Sequence, residues 1–363
     1  MSALAASTQD SVAEYYGKVL SKSADLKTSA CTTSGRPPKY LRDALRDVDP
    51  KVIEKYYGCG FVFPQSLSGL TCVDLGCGSG RDCFVLSQMC GPGSKVIGID
   101  MTTEQLATAR AGVAFHEGRS AGRFGGVEFR EGFIESFTSK LPADVVGAVD
   151  VIVSNCVINL SPDKEAVLRE CYKALKPGGE LYFSDVYCNR RMPEELKEND
   201  VLWGECISGA LYWNDFLHLS KKAGFLDPRL VTSSRIEMKN EKLQELLGNE
   251  LEFYSATYRL FKLPELEPDC EDYGQAVVYK GTIAGHPNAF ELDEHHKIET
   301  GKVFPVCGNT NSMLRDTRFA RHFDFIGNKD NHFGIFDGCG KSMPFSAGGG
   351  DSGGGGGGGG GCC

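Results

Sequence analysis

Between residues 70 and 235, short apolar runs alternate with apolar stripes of helical period. Leu70 to Val73, Lys95 to Asp100, Val127 to Glu131, Asp150 to Asn155 and Glu180 to Val186 read as buried strands. Phe84, Val85, Leu86 and Met89 form the first helical stripe between them, followed by Thr103 to Phe115, Pro162 to Leu175 and Trp213 to Ala223. Pro177-Gly178-Gly179 and Gly224 stop the last two. Arg229 to Ile236 and Phe253 to Leu263 read as strands closing the sheet, with an antiparallel pair among the last. Such alternation predicts an α/β fold, a doubly wound, mostly parallel sheet with helices on both faces.

Outside this region the pattern changes. Ser11 and Glu14 resemble a capping box ahead of Val12, Tyr15, Tyr16, Val19 and Leu20. Tyr40, Leu41, Ala44, Leu45 and Val48 suggest a second helix. Asp49-Pro50 opens a third, which ends at Gly58-Cys59-Gly60. Downstream, strand-like runs at Gln275 to Ile283, His296 to Ile298 and Lys302 to Val306 mix with a helical stretch, Ser312 to Phe323. The tail from Ala347 is nearly all glycine, ends Cys362-Cys363 and cannot bury a core. The expected organisation is a main domain over 1–240, a smaller C-terminal α+β domain over 241–346 and a flexible Gly-rich tail over 347–363.

With 363 residues and a net charge of −9, nucleic acid is disfavoured as a partner. No apolar run approaches a membrane span, and the N-terminus lacks the charged and apolar regions of a secretory signal, so a cytoplasmic monomer is expected. The 15 cysteines are many for a reducing compartment, yet they form no C-x-x-C pair and no zinc spacing.

The stretch Val73-Asp74-Leu75-Gly76-Cys77-Gly78-Ser79-Gly80-Arg81-Asp82 is strand, glycine turn and helix start. Its glycines let the backbone approach a ligand, but their spacing is not the G-x-G-x-x-G that seats a pyrophosphate. This stretch, with Asp74 ending the strand, resembles the first motif of class I S-adenosylmethionine (SAM) methyltransferases. Further strand ends then acquire roles. Asp100, 24 residues after Gly76, can accept both ribose hydroxyls. Ile134 and Glu135 can flank the adenine and meet its amino group, and Asn155 can face the methionine portion. Met101 and Gln105 are weaker candidates from the same loop and helix. The competing readings are a helix cap for Asp100 and a solvated charge for Glu135.

After the fourth strand, where many methyltransferases carry a base or an Asn/Asp-Pro-Pro-aromatic group, the chain has Ser154-Asn155-Cys156-Val157-Ile158-Asn159. The histidines lie at 116, 218 or beyond 285, so none stands out as a base. Cys206 follows the fifth strand and Cys59 sits in the turn before the first. Each alone could be a small core residue. Three thiolates together suit a soft centre, and trivalent arsenic is the best chemical match.

Tyr56-Tyr57-Gly58-Cys59-Gly60, the glycine motif above, Ser154 to Leu160, Gly179 to Tyr187 and Trp203-Gly204-Glu205-Cys206 resemble the arsenite SAM-methyltransferases over about residues 10 to 285. The resemblance implies that Cys59, Cys156 and Cys206 bind As(III), with Cys31 working alongside Cys59 in thiol relay or disulfide formation. It implies a SAM site of Tyr57, Gly76, Gly78, Arg81, Asp100, Met101, Gln105, Ile134, Glu135 and Asn155. The substrate would be arsenite or its glutathione adduct, and glutathione or thioredoxin the reductant. Cys72, Cys77, Cys83, Cys90, Cys171 and Cys188 are read as structural. The alternatives are a SAM methyltransferase of an organic small molecule and an arsenic-sequestering protein with a vestigial SAM fold.

Overall fold

The computed structural model describes residues 37–56, 58, 60–193, 196, 207–237, 250–339 and 341. The chain divides into two units, residues 1–262 and 263–363. The expected helix around Ser11 and the glycine tail lie outside the described residues.

In the first unit, α1 (Lys39–Arg46) and α2 (Pro50–Glu54) precede the sheet. Asp49 starts α2 as expected: its carboxylate accepts the Lys51 N–H at 2.9 Å, with proline at the first helical position. The sheet is built from β1 (Thr71–Leu75), β2 (Lys95–Asp100), β3 (Gly126–Glu131), β4 (Val149–Asn155), β5 (Leu175–Cys188), β6 (Leu211–Tyr212), β7 (Arg229–Arg235) and β8 (Phe253–Phe261). Their order is β3-β2-β1-β4-β5-β8-β7, with β6 beside the end of β5. β1 to β5 run parallel and β8 is antiparallel to both β5 and β7. Between the strands run α3 (Arg81–Cys90), α4 (Thr103–Ser120), α5 (Lys164–Ala174) and α6 (Trp213–Lys222).

Alternation within each strand splits the core in two. Val73, Ile97, Ile152 and Leu181 belong to one buried cluster, with Val167 and Leu168 of α5 and Phe216 of α6. Their neighbours Cys72, Val96, Val151 and Tyr182 belong to the other, with Phe84 of α3 and Leu41 of α1. Burial on both faces is why these strands read as continuous apolar runs.

Two boundaries differ from the pattern. β5 starts at Leu175 rather than Glu180, because Leu175 pairs with Val149 and a register shift between Val149 and Val151 absorbs the Pro177-Gly178-Gly179 stretch. Gly179 is required there, since a Cβ would stand 2.9 Å from Lys176 O and 3.0 Å from Val149 O. Residues 250–262, grouped above with the C-terminal domain, lie in the first unit, where β8 is hydrogen-bonded between β5 and β7.

In the second unit β10 (Gln275–Tyr279) is flanked by β13 (Val303–Val306) and β14 (Phe323–Ile326), both antiparallel to it. β11 (Ala289–Glu291) pairs with β12 (Lys297–Glu299), and β9 (Glu271–Asp272) with β15 (Gly334–Ile335). The helix expected over Ser312 to Phe323 is instead α7, Gly308–Arg315. The Cys307 sulfur caps it by accepting the Thr310 N–H, and Phe323 is drawn into pairing with Tyr279 of β10.

Candidate active site

A pocket of about 960 Å³, open solvent included, lies beyond the carboxyl ends of β1, β2 and β4. This is where a doubly wound sheet binds ligands, because the loops diverge on either side of the strand at which the winding reverses. Its floor is the turn after β1. Gly76, Gly78 and Gly80 all have positive φ, +68°, +51° and +89°. At Gly76 a Cβ would sit 2.4 Å from the Val157 methyls, and at Gly80 it would sit 2.7 Å from the Phe129 ring. At Gly78 it would meet only Gln105 Oε1, 4.0 Å away, so this glycine opens onto the pocket.

Four acids line the space, Asp74, Asp82, Asp100 and Glu135. Asp74, at the end of β1, is buried and accepts the Cys83 S–H at 3.2 Å. Burial, with the Asp82 and Asp100 carboxylates nearby, pushes its carboxyl well above the usual range. Asp100 ends β2 and accepts two backbone N–H groups, from Gly78 and Thr102, each at 2.8 Å. Burial raises it, and these hydrogen bonds oppose the rise. Glu135 follows Ile134 at the start of a 3₁₀ turn, and its Oε1 accepts the Ser161 hydroxyl at 2.6 Å.

The end of β4 is organised differently from its sequence reading. Asn155 does line the pocket, but its amide is engaged in holding protein. Oδ1 accepts the Gly60 N–H at 3.1 Å, while Nδ2 donates to Tyr56 OH at 2.7 Å, Gly60 O at 2.9 Å and Asp82 Oδ2 at 3.2 Å. Arg81, expected at the cofactor, is not among the lining residues. Its Nε bonds Asp82 Oδ1 at 2.6 Å and its guanidinium lies 3.1 Å over the Tyr56 ring. Arg81 therefore acts on the pocket wall through Asp82 and Tyr56.

Cys156 lines the same pocket with φ +56°. Its N–H bonds Ser184 O at 2.8 Å, and it packs in an apolar cluster with Leu160, Val186, Met192 and Phe253, with Met101 against its edge. The sulfur is disulfide-bonded. No histidine lines the pocket. His116 is stacked at 3.7 Å on Phe84 with Nδ1 on Gly112 O, a buried packing role.

The structure thus brings Asp74, Gly76, Gly78, Asp100, Met101, Gln105, Ile134, Glu135, Asn155 and Cys156 around one space. Tyr57, Cys31, Cys59 and Cys206 lie outside the described residues. Tyr56, Thr102 and Ser161 also line the space and were not singled out in the sequence. Asp82 was the legible one, two residues past Gly80 in the same motif.

A glycine floor and strand-end acids beneath a 3-2-1-4-5 parallel order fit an adenosyl group carrying a cationic methionine, and they define a class I SAM-dependent methyltransferase. Residues 66–224 match the family described as methyltransferase domain, and residues 273–345 the arsenite methyltransferase C-terminal domain. An arsenite methyltransferase of Aquipseudomonas alcaligenes is 58% identical over 93% of this chain and 96% of its own. The Homo sapiens arsenite methyltransferase is 44% identical, covering 88% of this chain and 84% of its own. The crystal structure of an arsenic(III) S-adenosylmethionine methyltransferase from Chlamydomonas reinhardtii superposes with a TM-score of 0.78 at 44% identity, over 83% of this chain and all of that one. The chain belongs to the arsenite methyltransferase family.

Proposed function

We propose that this chain methylates trivalent arsenic held on cysteine thiolates, with Cys156 as the ligand on the pocket wall. The observation that carries the reading is a cysteine, in a left-handed backbone conformation, lining the pocket that holds Asp74, Asp100 and Glu135. Cys59 and Cys206 are the other proposed ligands, and Cys31 works with Cys59.

In this reading Asp100 takes the ribose diol, Ile134 and Glu135 the adenine, and Gly76, Gly78 and Asp74 the amino-acid end. Met101 and Gln105 complete the wall, and Tyr57 belongs to the same set. When bound, SAM supplies an electrophilic methyl that a soft lone pair can take without prior proton removal. Ser161 fixes the Glu135 carboxylate, and Asn155 fixes the Gly60 backbone. The apolar shell of Leu160, Val186 and Phe253 keeps water from the Cys156 sulfur. Holding both partners in one geometry is worth up to roughly 7–11 kcal/mol of barrier in well-aligned cases.

Only a thiolate ligates arsenic, so the Cys156 disulfide must first take two electrons. A thiol reductant, glutathione or thioredoxin, supplies them and returns the cysteines to the reduced state after each turnover. Arsenite or its glutathione adduct enters by exchange onto the freed sulfurs. Among the described residues no helix is long and apolar enough to cross a membrane, and we place the enzyme in the cytoplasm as a monomer.

The test is arsenic speciation by liquid chromatography with elemental mass detection, on protein given As(III), glutathione and SAM. Methyl- and dimethylarsenicals are expected from the wild type and none from Cys156→Ser. Cys59→Ser should still methylate methylarsenite, which needs two sulfurs. Wild-type protein that binds SAM but yields no methylarsenical would overturn the reading.

A further inference from the structure

Four cysteines of the first unit are buried in two pairs that the proposed reaction does not use. The Cys72 and Cys90 sulfurs are 3.6 Å apart between β1 and α3, both sealed in the core. The second pair differs because one member reaches the pocket. Cys77 stands in the glycine turn and lines the pocket, while Cys83 lies in the first turn of α3 beneath it. A Cβ built on Gly98 of β2 would be 2.8 Å from Cys77 Sγ and 2.9 Å from Cys83 Sγ, so their separation is bounded by the sum, 5.7 Å. Glycine at 98 keeps a side chain out of the space on which both sulfurs converge. Asp74, which lines the pocket, accepts the Cys83 S–H at 3.2 Å.

We propose that Cys77 and Cys83 form a second, dithiol site at the base of the cofactor pocket for a monosubstituted trivalent arsenical, and that its occupancy excludes SAM. An arsenical R–As(OH)2 has two exchangeable positions and takes two sulfurs. Two As–S bonds form, two As–O and two S–H bonds break, and two waters leave. Arsenic stays trivalent, so no oxidant or reductant is needed. Burial pushes Cys77 up to about 11 and Cys83 well above its ordinary value. Both therefore rest as thiols at neutral pH; each binds as the thiolate, its proton passing to a departing hydroxide, which leaves as water. Among the described residues no group of three or more His, Cys, Asp or Glu side chains could hold a metal ion. A ligand satisfied by two sulfurs fits the pair, whereas a three- or four-coordinate cation does not.

Exclusion of SAM follows from the position of Cys77 between Gly76 and Gly78. Bridging it to Cys83 draws the turn toward α3 and strains the Gly78 N–H bond to Asp100. It also places the organic group of the arsenical beside Asp74. Under the proposed function the product of the first methylation belongs to this chemical class, which makes the site a brake set by that product. Only the identity of the cellular ligand rests on that reading.

The probe is phenylarsine oxide on the full chain under reducing conditions, with SAM affinity read by calorimetry. Saturating probe is expected to weaken SAM binding about tenfold or more in the wild type, in Cys156→Ser and in Cys72→Ser, but not in Cys77→Ser or Cys83→Ser. Trypsin cuts after Arg81, between the two thiols, so a bridged pair links the peptide ending at Arg81 to the one ending at Lys95. Fragmentation of that linked species from wild-type protein should place arsenic on Cys77 and Cys83, and prior SAM should prevent the link. This mapping decides the question even where a variant does not fold. Arsenic mapped to Cys72 and Cys90, no link at all, or SAM affinity indifferent to the probe would overturn the proposal. A protein that makes the link but no methylarsenicals keeps this site and loses the proposed function.

Discussion

Asn155 differs from an aspartate by one NH2 group, and that group carries three of its contacts. Asn155→Asp turns the donor facing Asp82 Oδ2 at 3.2 Å into a second carboxylate oxygen, and the donor on Gly60 O at 2.9 Å into a like-signed neighbour. Both acidic side chains are buried. At an effective dielectric of 20, two unit charges at that distance repel by about 5 kcal/mol. The Arg81 guanidinium on the other Asp82 oxygen offsets part of this, leaving about 3 kcal/mol, or about two pKa units on the new carboxyl. Its folded pKa therefore rises to roughly 6 from an unfolded value of about 3.9. For a carboxyl raised in the fold the penalty is absent below the unfolded pKa. It grows as pH rises and is complete above the folded value. In a domain of this size 1 kcal/mol is worth roughly 2–4 °C. On top of the deficit from the lost donors, present at every pH, the variant should melt about 6–12 °C lower at pH 8 than at pH 4 relative to the wild type. Asn155→Ala, which loses the bonds without adding charge, should show a deficit that does not change with pH. Thermal melts across pH 4–8, with SAM affinity at each pH, read both. An Asn155→Asp deficit equal at the two ends, or no larger than that of Asn155→Ala at pH 8, refutes the clamp.

Three other outcomes follow from the same geometry. Gly76→Ala puts a methyl 2.4 Å from Val157 at φ +68° and should abolish SAM binding by calorimetry, whereas adding Val157→Ala removes the two 2.4 Å contacts but leaves the residue-157 Cβ at 2.8 Å and the backbone strain, and should restore it only in part. Asp185, buried and raised to about 7 from 3.8, makes the wild type lose stability as pH climbs between those values. Asp185→Asn should remove that slope; because its single amide oxygen cannot accept both the Asn159 and Val186 N–H groups that now bond the two carboxyl oxygens at 2.9 Å, its gain on the wild type by pH 8 in denaturant titrations should stay below about 4 kcal/mol. Ser161→Ala removes the 2.6 Å bond to Glu135 and should weaken SAM binding about 2- to 10-fold with little change in melting temperature; no change in affinity would take Glu135 out of the adenine site.

The strands were legible because burial on both faces leaves a continuous apolar run, and Lys95–Asp100 matches its expected bounds. Asp100 and Glu135 were legible for a related reason, since in this topology the end of a strand is also the edge of the pocket. Contacts between distant parts of the chain were not. Asn155 reads as a cofactor residue from its place at the end of β4, but its amide meets Gly60, 95 residues away. Ser161 reads as a residue ahead of a helix, and only folding brings it to Glu135. Cys77 and Cys83 read as structural because their convergence depends on a glycine in the neighbouring strand. The α7 boundary failed because a cysteine is an unusual helix cap, and periodicity does not register caps.

Cys156 shows how a break in local preference points to chemistry. The chain makes left-handed turns at many places and uses glycine at most of them, including Gly76, Gly78 and Gly80 in this same pocket. Only Ser66, Ala121 and Cys156 among the described residues adopt positive φ with a side chain, and of these Cys156 alone lines the pocket. A left-handed conformation costs a residue with a Cβ about 1–2 kcal/mol, and glycine at 156 would avoid that cost. The bond from its N–H to Ser184 O holds the strained conformation in place. Such strain persists where the surroundings over-determine it, and it gathers at functional sites. Glycine would serve the turn equally well but would carry no sulfur. The position therefore gives up some stability to keep a sulfur at the pocket wall, disulfide-bonded in this structure and a ligand for arsenic once reduced, as the arsenic-binding reading requires.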